Sequence, residues 1–184
     1  MAFTFDQFVT DVRAAAAQPD ANAAVRALLS AVVVDPDAIF RVSPEGGEDE
    51  VMLFEDETVS IWHCRFQPHV MMPPHEHKLD VHIGGYAGSE KSLLFAREDG
   101  ALAYRGSKVV GPGEVLSLGP QAIHAVIAEG EAPSLALHVY MGPLMQLTRG
   151  LFDWETGEEV DFTLENFEAM KRPAAEVEAR LGLG

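Results

Sequence analysis

Between Val51 and about Tyr140 the chain breaks into short runs rich in Val, Ile, Leu, Phe and Tyr, separated by turn signals. Those signals are Gly84-Gly85, Glu98-Asp99-Gly100, Gly111-Pro112-Gly113, Gly119-Pro120 and Glu129-Gly130. Strand-forming runs at this spacing, with no helical period between them, predict an antiparallel sandwich or barrel.

The flanks read differently. Residues 4–34 read as helix: Thr4 with Gln7 makes a capping-box pattern, and Phe5, Phe8, Val9 and Val12 recur at helical spacing. Pro19-Asp20 breaks the run, a second helix follows through Val25, Leu28, Leu29 and Val32, and Pro36 is expected to close it. The segment SPEGGEDE (43–50) reads as a polar, glycine-bearing loop. Beyond Tyr140 the pattern predicts helices over Leu164–Met170, capped by Thr163, and over Ala174–Leu181, with Pro173 at the first helical position. With no repeat, linker or low-complexity stretch, the reading is one domain over 1–184: a helical extension (1–50), a β-barrel (51–160) and C-terminal helices (161–184).

A chain of 184 residues that is 47% hydrophobic can bury a real core. Its 29 acidic against 13 basic residues give a formal charge of −16. Such a surface repels phosphate backbones and anionic lipid, which argues against nucleic acid and membranes as partners. Cys64 is the one cysteine, so no intramolecular disulfide can form, and a cytosolic setting fits. Trp62 and Phe66 share its strand parity, which predicts a buried thiol. The start, MAFTFDQF, lacks the basic region and apolar run of a signal peptide. The most apolar stretch, Ala23 to Val34, is interrupted by Arg26 and Ser30 and is too short to span a bilayer. A cytoplasmic location is expected.

Five of the seven histidines fall between positions 75 and 138. In PPHEHKLDVH, His75 and His77 are two apart, so on a strand both imidazoles point the same way. His124 follows the Gly119-Pro120 turn on a later predicted strand, AIHAVIA. Three imidazoles suit Fe, Zn, Ni or Cu and leave coordination positions open for substrate or water.

The stretches PPHEHKLDVHIGGYAGSEKSLLFAR (73–97), GEVLSLGPQAIHAVIAEGEAPSLALHVYMGPL (113–144) and, more loosely, LFDWETGE (151–158) resemble the motifs of the cupin superfamily. The likeness is greatest to its cysteine dioxygenase-like branch and to predicted metal-dependent double-stranded β-helix enzymes. The resemblance implies a mainly β cupin double-stranded β-helix, a jelly-roll barrel, with N-terminal and short C-terminal helices. It places the metal on His75, His77 and His124, with Fe(II) first and Ni, Zn or Mn as alternatives. The family's barrel-lining His and Tyr, which orient the bound substrate, fall on His138 and Tyr140. The implied activity is that of a mononuclear non-haem iron dioxygenase taking a small-molecule thiol and O2 to a sulfinate. A cupin metalloenzyme of another class (a different oxygenase or an isomerase) and a non-catalytic binding cupin are the alternatives, and a homodimer is left open.

Three departures from the family pattern bear on the site. A serine two residues before the His-Tyr pair is replaced by Ala136, which shortens the expected hydrogen-bond relay. His82 stands where relatives carry a cysteine or a metal-binding glutamate, and reads as a fourth ligand, a donor behind a ligand, or a lining residue. To face the metal it requires a bulge or twist between Lys78 and Val81. The carboxylate-gripping arginine is absent from LFEDETVSIW (53–62); Arg97 and Arg65 substitute for it by position only, so free cysteine is expected to be a poor substrate.

Overall fold

The computed structural model describes residues 3–43, 49–98 and 100–183. Residues 44–48 of the expected polar loop, and Asp99 of the Glu98-Asp99-Gly100 turn, lie outside them.

Helix α1 (Phe5–Ala16) begins where the Thr4 side chain accepts the amide of Gln7, and α2 (Ala21–Val32) where Asp20 accepts the amide of Ala23. Pro36 does not close α2. It opens a third short helix, α3 (Pro36–Phe40), capped by Asp35. A first-turn residue needs no intrahelical N–H donor, so proline is as much a start signal as a stop.

The strands are β1 (Glu50–Glu55), β2 (Ser60–Phe66), β3 (Val70–Met71), β4 (His75–Glu76), β5 (Val81–Ala87), β6 (Ser89–Glu98), β7 (Ala101–Val110), β8 (Val115–Leu118), β9 (Ile123–Glu129), β10 (Ser134–Tyr140), β11 (Gly150–Phe152) and β12 (Glu159–Asp161). Helix α4 (Leu164–Ala169), the two-residue β13 (Arg172–Pro173) and α5 (Ala174–Leu181) complete the chain. Thr163 caps α4 as expected, while Pro173 occupies the capping position of α5 instead of its first helical residue.

One sheet runs β1-β2-β10-β5-β8 and a second β12-β11-β4-β9-β6-β7, and the neighbours within each are antiparallel. From β4 to β10 the strands alternate between the sheets, apart from β7, which stays beside β6: β4 lies in the second, β5 in the first, β6 in the second, β8 in the first, β9 in the second and β10 in the first. This is the winding of a double-stranded β-helix, mainly β, with N-terminal helices and a short C-terminal helix.

Parity assigns the two faces of β10. Ala136 and Tyr140 join Val81, Ile83 and Leu118 in an inner cluster, while Leu137 and Val139 join Phe8, Val12, Val25 and Leu29 in an outer one beneath the helices. The Gly84-Gly85 pair, expected as a turn, lies inside β5 instead. A Cβ on Gly84 would meet Leu29 of α2 and Val33 just past its end at 2.8 Å, and one on Gly85 would meet the Gly111 carbonyl oxygen at 2.5 Å. These glycines mark close approach to a strand and not a change of direction.

Two histidines tie the helical layer to the first sheet. His63 on β2 contacts the Tyr86 hydroxyl, which is 2.9 Å from Ser43 Oγ, and its own Nδ1 is buried without a partner. His82 on β5 donates from Nε2 to Asn22 Oδ1 of α2 (3.1 Å) and sets Nδ1 2.8 Å from Ser117 Oγ of β8. Burial lowers the pKa of both below the ordinary histidine value. A depressed folded-state pKa contributes stability above the unfolded value of about 6.5 that is lost as pH falls through the folded one. Acidification below about pH 6.5 is therefore expected to weaken the docking of α1–α3 on the first sheet. Amide hydrogen exchange at pH 7.5 and 5 would check this, and helices protected equally at both would refute it.

Among the described residues no helix is long and apolar enough to cross a membrane.

Candidate metal centre

His75 lies on β4 and is paired directly with His124 on β9; His77 follows just beyond the end of β4. Their Nε2 atoms converge, His77 standing 3.1 Å from His75 and 3.5 Å from His124. All three rings are buried. His75 Nδ1 donates to the Pro73 carbonyl at 2.9 Å, which leaves its lone pair on Nε2, and His124 Nδ1 lies 3.1 Å from Ser92 Oγ. Burial lowers the pKa of His75 to about 4 and holds His77 and His124 well below the ordinary value. Neutral imidazole is the form that binds metal. Three lone pairs aimed at one point cannot satisfy one another, so this donor set fits a divalent cation, and outer partners such as Pro73 and Ser92 are what such ligands use to fix their tautomer. This arrangement agrees with the sequence reading of the three histidines.

Beside the cluster, Tyr140 packs edge-on against His77 with ring centroids 4.9 Å apart. His138 Nδ1 is 3.2 Å from the Tyr140 hydroxyl, and on its other side Nε2 meets Glu90 Oε2 at 2.9 Å. The His138 and Glu90 side chains are 3% and 1% exposed. Glu90 accepts at Nε2, and Nδ1 on the other side of the same ring meets the tyrosine hydroxyl. Burial keeps Tyr140 well above the ordinary phenol pKa, hence protonated. The relay expected to be shortened by Ala136 is instead extended, by a carboxylate from β6. Glu90 left a legible signal: it shares inward parity with Ser92 on β6, and a charged residue in a core register has a partner to find.

His82 is not part of the cluster. Lys78 does adopt a left-handed backbone (φ 58) after His77, but strand alternation resumes in β5 with Val81 and Ile83 inward and His82 outward, under α2. The fourth-ligand reading is therefore corrected. Arg97 is also outside the site: it pairs with Glu159 at 3.2 Å and lies over the Phe152 ring. Arg65 does line the cavity above the histidines.

That cavity encloses about 750 Å³, with His75, His77 and Tyr140 in its wall. Cys64 is buried, as expected from parity, and also forms part of this wall, where burial pushes its thiol pKa up. Its cross-strand partner Glu50 lies at the mouth, with a carboxyl pKa raised chiefly by desolvation. Arg149, which the sequence reading passed over, also faces this cavity. It precedes β11, and its carbonyl accepts the amide of Phe162 just beyond β12, so the hairpin sets the two side chains together. The guanidinium lies 3.4 Å from the Phe162 ring centroid, and that ring is 5.9 Å from His75. No local pattern marks an arginine whose neighbours are brought to it by a hairpin beyond the barrel.

No family model matches the sequence, and no curated protein matches it. Among solved structures, the chain is similar to an RmlC-like cupin family protein with a double-stranded β-helix fold from Methanocaldococcus jannaschii, at 16% identity and TM-score 0.45, covering 56% of this chain and 90% of that one. It is similar to a point variant of oxalate decarboxylase from Bacillus subtilis (21% identity, TM-score 0.42), covering 70% of this chain and 29% of that one. It is also similar to hydroquinone 1,2-dioxygenase from Sphingomonas sp. TTNP3 (14% identity, TM-score 0.41), covering 54% and 70%. The fold assignment stands on the strand order described above.

Proposed function

We propose that the protein is a mononuclear non-haem iron dioxygenase that oxidises a small thiol to a sulfinate. The observation that carries this reading is the buried three-histidine face with Tyr140 packed 4.9 Å from His77 and backed by His138 and Glu90. Iron held by His75, His77 and His124 would supply open coordination positions and the electrons that bring thiol and O2 together. The overall change balances as RSH + O2 giving RSO2H, the four-electron oxidation of sulfur matching the four-electron reduction of dioxygen.

The protein's part is positioning. Pro73 and Ser92 fix ligand orientation through the far nitrogens of His75 and His124. Glu90 orients the His138 ring, so the Tyr140 hydroxyl is held at one place at the cavity wall, beside a bound reactant. The apolar walls contributed by Trp62, Met72 and Phe66 limit water around the histidines.

Iron-loaded protein is expected to consume O2 with thiols and to yield the sulfinate one to one. No uptake with a broad panel, including thiols without a carboxylate, would overturn the reading in favour of another cupin chemistry or a binding protein.

A further inference from the structure

We infer that the cavity above the histidines recognises a carboxylate carried on an extended apolar body, with Arg149 as its anchor. This names the substrate class for the site just proposed, and it rests on that reading only in sharing the cavity.

Most cations of the chain are spent on acids: Arg13, Lys78, Lys91, Arg97, Arg105, Lys171 and Arg180 each pair with a carboxylate. Arg149 does not. Among the described residues no carboxylate oxygen lies within 4.0 Å of it, and it is half-buried on the face of Phe162. A guanidinium held over an aromatic face can still turn its N–H donors to a planar, two-oxygen anion. The contacts Arg149–Phe162 and Phe162–His75 in series put it beside the metal-binding face.

The acids of the cavity do not close the site to an anion. Glu168 is paired with Lys171 at 2.7 Å, Asp49 accepts from Gln67 at 2.9 Å, and Glu50 lies exposed at the mouth.

The rest of the wall sets the body of the ligand. Leu144, Leu147, Phe162 and Phe167 line it, and at its edge Met145 and Leu164 are 59% and 76% exposed. A volume of about 750 Å³ falls within the range of pockets that enclose drug-sized ligands and far exceeds what a molecule the size of cysteine fills. Free cysteine is thus a poor fit for want of apolar body, not for want of an arginine.

Calorimetric titration of the zinc-loaded, full-length protein with 4-phenylbutanoate, 4-phenylbutanamide and acetate tests this without any turnover. The acid should bind at least about tenfold more tightly than the amide, in line with a hydrogen bond to a charged group, and acetate should bind more weakly than both. In Arg149→Gln the acid and amide should converge. Leu164→Ser, at an exposed position with no partner to lose, should weaken phenylbutanoate while leaving acetate unchanged. Equal binding of acid and amide by the unmodified protein, no binding of the acid, or a preference that survives Arg149→Gln would each overturn the inference. A protein that binds the acid in this way but consumes no oxygen with thiols would lose the dioxygenase reading and keep this one.

Discussion

Replacing His124 with alanine is expected to leave a folded protein that no longer retains a divalent metal through dialysis. His124 supplies one of three nitrogens, and its Nε2 stands 3.5 Å from that of His77. Two remaining imidazoles hold such an ion far more weakly. The loss should exceed the roughly 10–100-fold that removal of an outer partner costs, so Ser92→Ala serves as the graded control. The barrel should survive, because β9 is anchored by its backbone ladders to β4 and β6 and by Ile123, Ala125 and Ile127 on its other face. Metal content by elemental analysis, with circular dichroism for the fold, checks both halves. Full occupancy in His124→Ala would show that the three-histidine assignment is wrong.

Removing one oxygen atom at Tyr140 is expected to cost about 10²–10⁴-fold in turnover, the usual weight of a positioned proton donor or acceptor. Tyr140→Phe retains the ring against His77 and leaves the metal ligands untouched, so metal content should not change. Glu90→Gln tests the other end of the chain. It preserves shape and one hydrogen bond but removes the charge that fixes the His138 tautomer, so ¹⁵N shifts of the His138 ring should move along with the rate. A purely structural role for Glu90 would lower stability without redistributing the ring tautomers. Wild-type turnover in Tyr140→Phe would make the tyrosine a packing aromatic.

The sequence disclosed what depends on local alternation and concealed what depends on which strands meet. His75 and His77 are legible because two residues on a strand share a face, and the turn before His124 placed it on a later strand. His82 shows the same rule from the other side: its parity pointed outward, and the bulge invoked to bring it in does not do so. Ala136 suggested a truncated relay because neighbours in the chain do not disclose partners across the barrel, and the partner of His138 lies 48 positions away. Gly84-Gly85 read as a turn because glycine signals both chain reversal and tight packing, and only the presence of α2 and Gly111 distinguishes them. Arg149 gave no signal at all, since its meaning comes from Phe162 across a hairpin.

One strand carries more of the chemistry than its composition suggests. On β6, Glu90 reaches His138 and Ser92 reaches His124, while Leu93 and Phe95 pack the opposite face. A one-residue insertion or deletion before Glu90 would exchange the two faces, turning both polar groups away from the barrel and bringing leucine and phenylalanine into it. The segment SEKSLLF would thus be intolerant of a change of length, although no metal ligand lies within it. Strand β6 acts as a template whose phase keeps ligand and relay in step.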